Sequence, residues 1–129
     1  VESVENNNVT NNDIVKNKEE NYITINELEK VELKVGQILE VERIEKADKL
    51  YKLTVDLGTE KRTIVSGLVK YYTPEQLLNK QVVVVANLKP VKLRGVESQG
   101  MLLAAGDDVV KLLTLDSNEG SLENGTSIH

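Results

Sequence analysis

The chain has 129 residues, with 21 carboxylates against 16 Lys and Arg and a net charge of −5, which leaves room for one domain with its own core plus a tail. It has no Cys, and its single His is the last residue, His129; disulfides, Cys-ligated zinc and thiol catalysis are excluded. No run approaches the roughly 18 apolar residues of a membrane span, and the N-terminus lacks a basic-then-apolar export pattern, so a cytoplasmic address is expected.

Residues 1–21 are rich in Asn, Glu and Lys and show neither helical nor strand periodicity, the composition of a disordered tail or linker. A start on Val rather than Met points to a fragment of a longer chain. Glu2, Glu5, Asp13, Glu19 and Glu20 outnumber Lys16 and Lys18 here, and five acids outnumber Lys111 after Ala104. The middle of the chain is therefore mildly basic although the whole is acidic.

Thr24-Ile25-Asn26-Glu27 matches a capping box and predicts a short helix to about Val31, with Leu28 and Val31 on one face packing against the next element of the chain. Leu33 to Ile44 is β-branched and half alternating, with Gly36 marking a bulge or sharp bend. Glu45 to Lys49 is a turn. Tyr51, Leu53, Val55 and Leu57 then alternate with Lys52, Thr54 and Asp56, the pattern of a half-buried strand. Gly58-Thr59-Glu60 closes a hairpin into a strand that runs to Ser66-Gly67. Thr73 as N-cap with Pro74 at the first helical position starts a second short helix, ending near Asn79. Gln81 to Asn87 is a strand whose unalternated Val82 to Val85 implies burial on both faces.

From Asn87 to Gly100 runs a long connection that carries Lys89, Lys92 and Arg94 with no carboxylate among them. Loops of this length are uncommon in compact domains unless they bind something, and clustered cations suit a polyanion. Met101–Ala105 and Val109–Leu115 read as further strands, and Asp116 to His129 as polar and turn-like. Three strands, a helix and then more strands, with a bent glycine-bearing first strand, is the plan of the oligonucleotide/oligosaccharide-binding (OB) barrel. SH3-like barrels and small sandwiches fit the same order of elements.

Catalysis finds little support. Gly95 and Gly100 have the spacing of a phosphate loop, but Met101 and Leu102 occupy its Lys and Ser/Thr positions. Ser98 has no His to activate it, and Asp107-Asp108 sits in a turn with no apolar wall. No metal or cofactor signature is present.

Five blocks in order, Leu33 to Ile38, Ala47 to Tyr51, Ile64 to Leu68, Val84 to Pro90 and Lys92 to Met101, resemble the tRNA-binding domain appended to bacterial methionyl-tRNA synthetases. The same domain occurs in free-standing tRNA-binding proteins and in the endothelial-monocyte-activating polypeptide. The resemblance covers roughly residues 23–129. It implies an all-β OB-fold domain with short helices over residues 22–129, non-catalytic, gripping tRNA by shape and backbone and forming a homodimer through the Thr24–Val31 helix and the chain after Ala105. It also implies that residues 1–21 link the domain to a synthetase body.

Lys89, Lys92 and Arg94 are the expected phosphate contacts; Lys34, which stands where many relatives have Arg, and Lys49 are weaker candidates. Asn87 reads a base edge or caps the loop. Ser98 and Met101, beside the bare Gly100, are expected to receive an unstacked base. With no Phe or Trp there is no aromatic platform for single strands. An export-chaperone-like protein-interaction module on the same barrel is the alternative.

Overall fold

The computed structural model describes residues 21–116 and 120–129; the tail expected over residues 1–21 lies almost wholly outside them. The chain divides at Lys30/Val31 into two units. In the first, helix α1 (Ile25–Leu28) is a single turn capped as the sequence predicts: the Thr24 hydroxyl accepts from the Glu27 amide and the Glu27 carboxylate accepts from the Thr24 amide. The helix stops at Leu28, so Val31 does not share its face. Leu28 and Val31 are 52% and 43% exposed.

The second unit is built on β1 (Leu33–Ile44), which has two successive partners. Its first half pairs antiparallel with β4 (Gln81–Val85), its second half with β2 (Ala47–Asp56), and Gln37 is opposite both Gln81 and Asp56. Gly36 lies at this changeover. A methyl group there would come within 2.7 Å of Val55 and 2.8 Å of Val84, so the glycine admits side chains from both neighbours. It is not the bulge expected from the sequence; the register shifts come later, at Ile38/Glu40 and Arg43/Ile44. The β1–β2 turn is also tighter than the expected Glu45 to Lys49, because Ala47 already begins β2 and Lys46 takes a positive φ of 67°.

Along β2, Tyr51, Leu53 and Val55 are buried, and Leu57 just beyond continues the series, as the alternation predicts. Strand β3 (Lys61–Ser66) follows, then helix α2 (Pro74–Leu77), whose Thr73 cap shares a capping box with Gln76 and whose Leu77 enters the core. Val82 to Val85 are all buried. Strands β5 (Val91–Leu93) and β6 (Val96–Ser98) form a hairpin, and β7 (Met101–Leu102) pairs with β4.

Between β3 and the β6–β7 connection the circuit closes through individual hydrogen bonds outside the ladders. The Gln99 amide donates to the Thr63 carbonyl at 2.8 Å, and the Gln99 side chain accepts from the Thr63 amide at 3.0 Å. The order β1-β2-β3-β6/β7-β4-β1, with a helix between β3 and β4, is that of an OB-fold barrel around Val35, Ile38, Leu53, Val55, Ile64, Leu77, Val82 and Val84.

The last third departs from expectation. Met101–Ala105 is broken at Leu103 into β7 and β8 (Ala104–Ala105), and Val109–Leu115 shrinks to β9 (Lys111–Leu112) with a bridge from Thr114 to Val82. The polar terminus contains a strand that its composition concealed: β10 (Ser127–Ile128) pairs with Leu33 and Lys34 of β1.

Candidate nucleic-acid interface

The connection after β4 is folded, not open loop. Val91 and Leu93 are opposite Ser98 and Val96, with Lys92 opposite Glu97. The turn between them uses Arg94 (φ 52°) and Gly95 (φ 82°), both left-handed, the conformation of a type I′ turn whose twist matches that of the strands it joins. Lys89, Lys92 and Arg94 are all exposed on this hairpin. Their setting is less purely cationic than the sequence implied, since side chains opposite each other in an antiparallel pair share a face and Glu97 therefore stands beside Lys92.

The base of the hairpin is pinned on each side. At the entering foot, the Asn87 side-chain oxygen accepts from the Glu32 amide at 2.9 Å, while the Ala86 amide donates to the Glu32 carbonyl at 2.8 Å. The contact of the Asn87 oxygen with the Glu32 amide is a capping one. At the leaving foot, Ser98 is only 6% exposed. Its hydroxyl accepts from the Val65 amide at 2.9 Å and donates to the Gly100 carbonyl at 3.1 Å. The expectation that Ser98 faces a base is corrected: the hydroxyl is buried in the fold and its single proton is given to the Gly100 carbonyl.

Met101, by contrast, is 47% exposed despite opening an apolar strand. Gly100 beside it has a φ of 150°, and a methyl group there would be 3.1 Å from the Val85 carbonyl, so the backbone comes close as expected. Lys34 is half-buried on β1, opposite Val84 on one side and Ser127 on the other. Lys49 is exposed near the start of β2. The fold thus gathers Asn87, Lys89, Lys92, Arg94, Ser98 and Met101 into one hairpin and its base, and places Lys34 and Lys49 on the barrel strands.

Comparison with known proteins shows the family to which the domain belongs. Residues 33–127 match the family described as "Putative tRNA binding domain". The chain belongs to this tRNA-binding domain family. It is 54% identical over 99 residues to a methionine–tRNA ligase of Thermotoga maritima, covering 76% of this chain but only 16% of the ligase. Among solved structures, a MetRS-related protein of Pyrococcus horikoshii superposes with a TM-score of 0.77 at 38% identity, over 84% of this chain and 98% of that one. A CsaA chaperone protein of Picrophilus torridus superposes at 0.75 with 31% identity, over 84% and 100%.

Within this tRNA-binding domain, one charged side chain has a role that its sequence context does not announce. Arg62 on β3 is 22% exposed, and its Nη2 donates to the Glu60 carboxylate at 3.1 Å. The carboxyl of Glu60 is held below its usual range by that hydrogen bond first, then by the charge of Arg62, with a smaller pull from Lys34. Arg62 Nη1 donates to the carbonyls of Ala86 and Gln99. One signal was present: Arg62 has the strand parity of the buried Ile64, and a cation on a strand's apolar face requires partners.

Proposed function

We propose that this domain is a non-catalytic tRNA grip, the C-terminal part of a methionyl-tRNA synthetase, that lays its cationic hairpin against tRNA phosphates. It acts as a homodimer and raises the affinity of a catalytic body carried on the same chain. The observation that carries the reading is the exposure of Lys89, Lys92 and Arg94 on a hairpin whose base is fixed to the barrel. Each phosphate so neutralised releases a counterion. A second contact tethered to the enzyme multiplies affinity without altering the chemistry.

The test is a tRNA titration at several salt concentrations with the wild-type protein and the variant K89Q/K92Q/R94Q, the mass of the free protein being read by light scattering. Losing about three phosphate contacts lowers the slope of log affinity against log salt by roughly 2 to 3. Affinity near physiological salt falls by about tenfold or more. A folded triple variant with wild-type slope and affinity refutes the proposed grip, and a monomeric mass refutes the dimer.

A protein-binding role is favoured by a different observation. Leu88, Val91, Leu93 and Met101 are between 39% and 53% exposed beside the cations, and some structural neighbours carry the name chaperone. Displacement of tRNA by an unfolded peptide at micromolar concentration is the outcome that supports it.

A further inference from the structure

The ladder between β4 and β7 ends at Val85 opposite Met101. Just beyond it, one residue after Val85 and two before Met101, are the carbonyls of Ala86 and Gln99, the two feet of the hairpin, which this ladder no longer reaches. Backbone carbonyls at such a position need donors from elsewhere. A single nitrogen supplies both: the two hydrogens of Arg62 Nη1 go to Ala86 and to Gln99, the latter at 3.2 Å. Glu60 then fixes the plane of the guanidinium through Nη2.

We infer that Arg62 is the positioning residue of the cationic hairpin, clamping its two feet together from β3 so that Lys89, Lys92 and Arg94 meet the ligand in one fixed arrangement. Arg suits this task because its planar fork reaches two acceptors from one rigid group, which a lysine ammonium does not reproduce. With both Nη1 hydrogens spent on carbonyls and most of the side chain covered, Arg62 acts through the hairpin and not on the RNA. Neighbouring bonds share the work. Thr63, next to Arg62, exchanges two hydrogen bonds with Gln99, and Val65 donates to Ser98. Strand β3 is therefore the fixed wall against which the leaving foot is held. Weakening the clamp leaves the cations present but costs ordering entropy each time the hairpin docks.

The part of this inference that concerns affinity rests on the tRNA reading; the part that concerns the hairpin does not. Amide hydrogen exchange is measured on the full chain as wild type, Arg62→Met and Arg62→Lys, beside the tRNA salt titration. In Arg62→Met, amides between Val91 and Ser98 exchange about tenfold faster or more, while those of Ile38 and Leu53 keep their rates. The affinity for tRNA falls several-fold with an unchanged salt slope, because the same phosphates are neutralised once the hairpin is docked. Arg62→Lys retains the charge and still shows the faster exchange. If Arg62→Met does not fold, Arg62→Lys carries the test on the same criteria.

Wild-type exchange in the hairpin of the variants overturns the inference. So does a salt slope reduced by about one with exchange unchanged, which makes Arg62 a phosphate contact. If the wild-type protein fails to bind tRNA, the functional reading falls while the exchange data still decide the role of Arg62.

Discussion

Glu60 accepts from Arg62 at 3.1 Å, and that bond, with the guanidinium charge and a weaker pull from Lys34, holds its carboxyl below the usual range. A carboxyl depressed in the folded state contributes stability above its unfolded value and loses it as pH falls through the folded one. Glu60→Gln is therefore expected to melt below wild type at neutral pH. The gap should start to narrow as the pH falls below the ordinary carboxyl value of 4.5 and close only at lower pH, where the folded wild-type carboxyl also takes up its proton. Paired thermal melts between pH 3 and 7 check this, and a constant gap contradicts it. The same group of residues shows what a sequence hides at this scale. The cationic patch of Lys89, Lys92 and Arg94 was legible because clustered cations are visible as cations. The partners of Arg62 are main-chain carbonyls 24 and 37 residues away, and backbone acceptors leave no mark in a sequence. Ser98 misled for the converse reason, since a hydroxyl beside a glycine looks the same whether it faces a ligand or the Val65 amide.

At the scale of elements, the caps and alternations were legible because each is a local rule. Thr24 with Glu27, Thr73 with Pro74 and Gln76, and the Tyr51-Leu53-Val55 face all reappear in the fold. The β5–β6 hairpin was not, because its turn uses Arg94-Gly95 where Asn-Gly or Asp-Gly is the usual signal and its strands have only three residues each. Pairing matters for electrostatics, because it brings Glu97 across from Lys92. Like charge between Glu97 and a phosphate opposes docking, and the opposition is screened by salt. Glu97→Gln is expected to tighten tRNA binding a few-fold at low ionic strength, with the two proteins converging as salt rises. Equal affinities at low salt in a filter-binding series would mean that this face of the hairpin points away from the RNA.

Across the whole molecule, the barrel depends on a segment that composition assigned to a polar tail. The Thr126 carbonyl accepts from the Val35 amide at 2.9 Å and the Gly125 amide donates to the Val35 carbonyl at 2.7 Å, so the terminus runs along β1 as an extra strand. Just before it, the Asn124 side chain donates to Gln37 at 3.0 Å and to Asp56 at 3.2 Å and accepts from Gln81 at 3.0 Å. Those three residues form one row across β2, β1 and β4. One amide thus ties together the strands between which β1 changes partner, a role that no local pattern around Asn124 could announce. Asn124→Ala removes all three bonds, and water reaches part of what is left, because a cavity of about 710 Å³ opens beside Gln37, Gln81 and Asn124. The expected cost is about 1 to 2 kcal/mol, which for a unit of this size lowers the melting temperature by roughly 4 to 10 °C. Asn124→Asp should do worse, since a carboxylate there faces Asp56. Neither change touches the cationic hairpin, so at a temperature where both variants are folded the salt slope for tRNA should match wild type. A lowered slope would mean that the terminus itself contacts the RNA, and an unchanged melting temperature would mean that β10 and the ladders hold the row without Asn124.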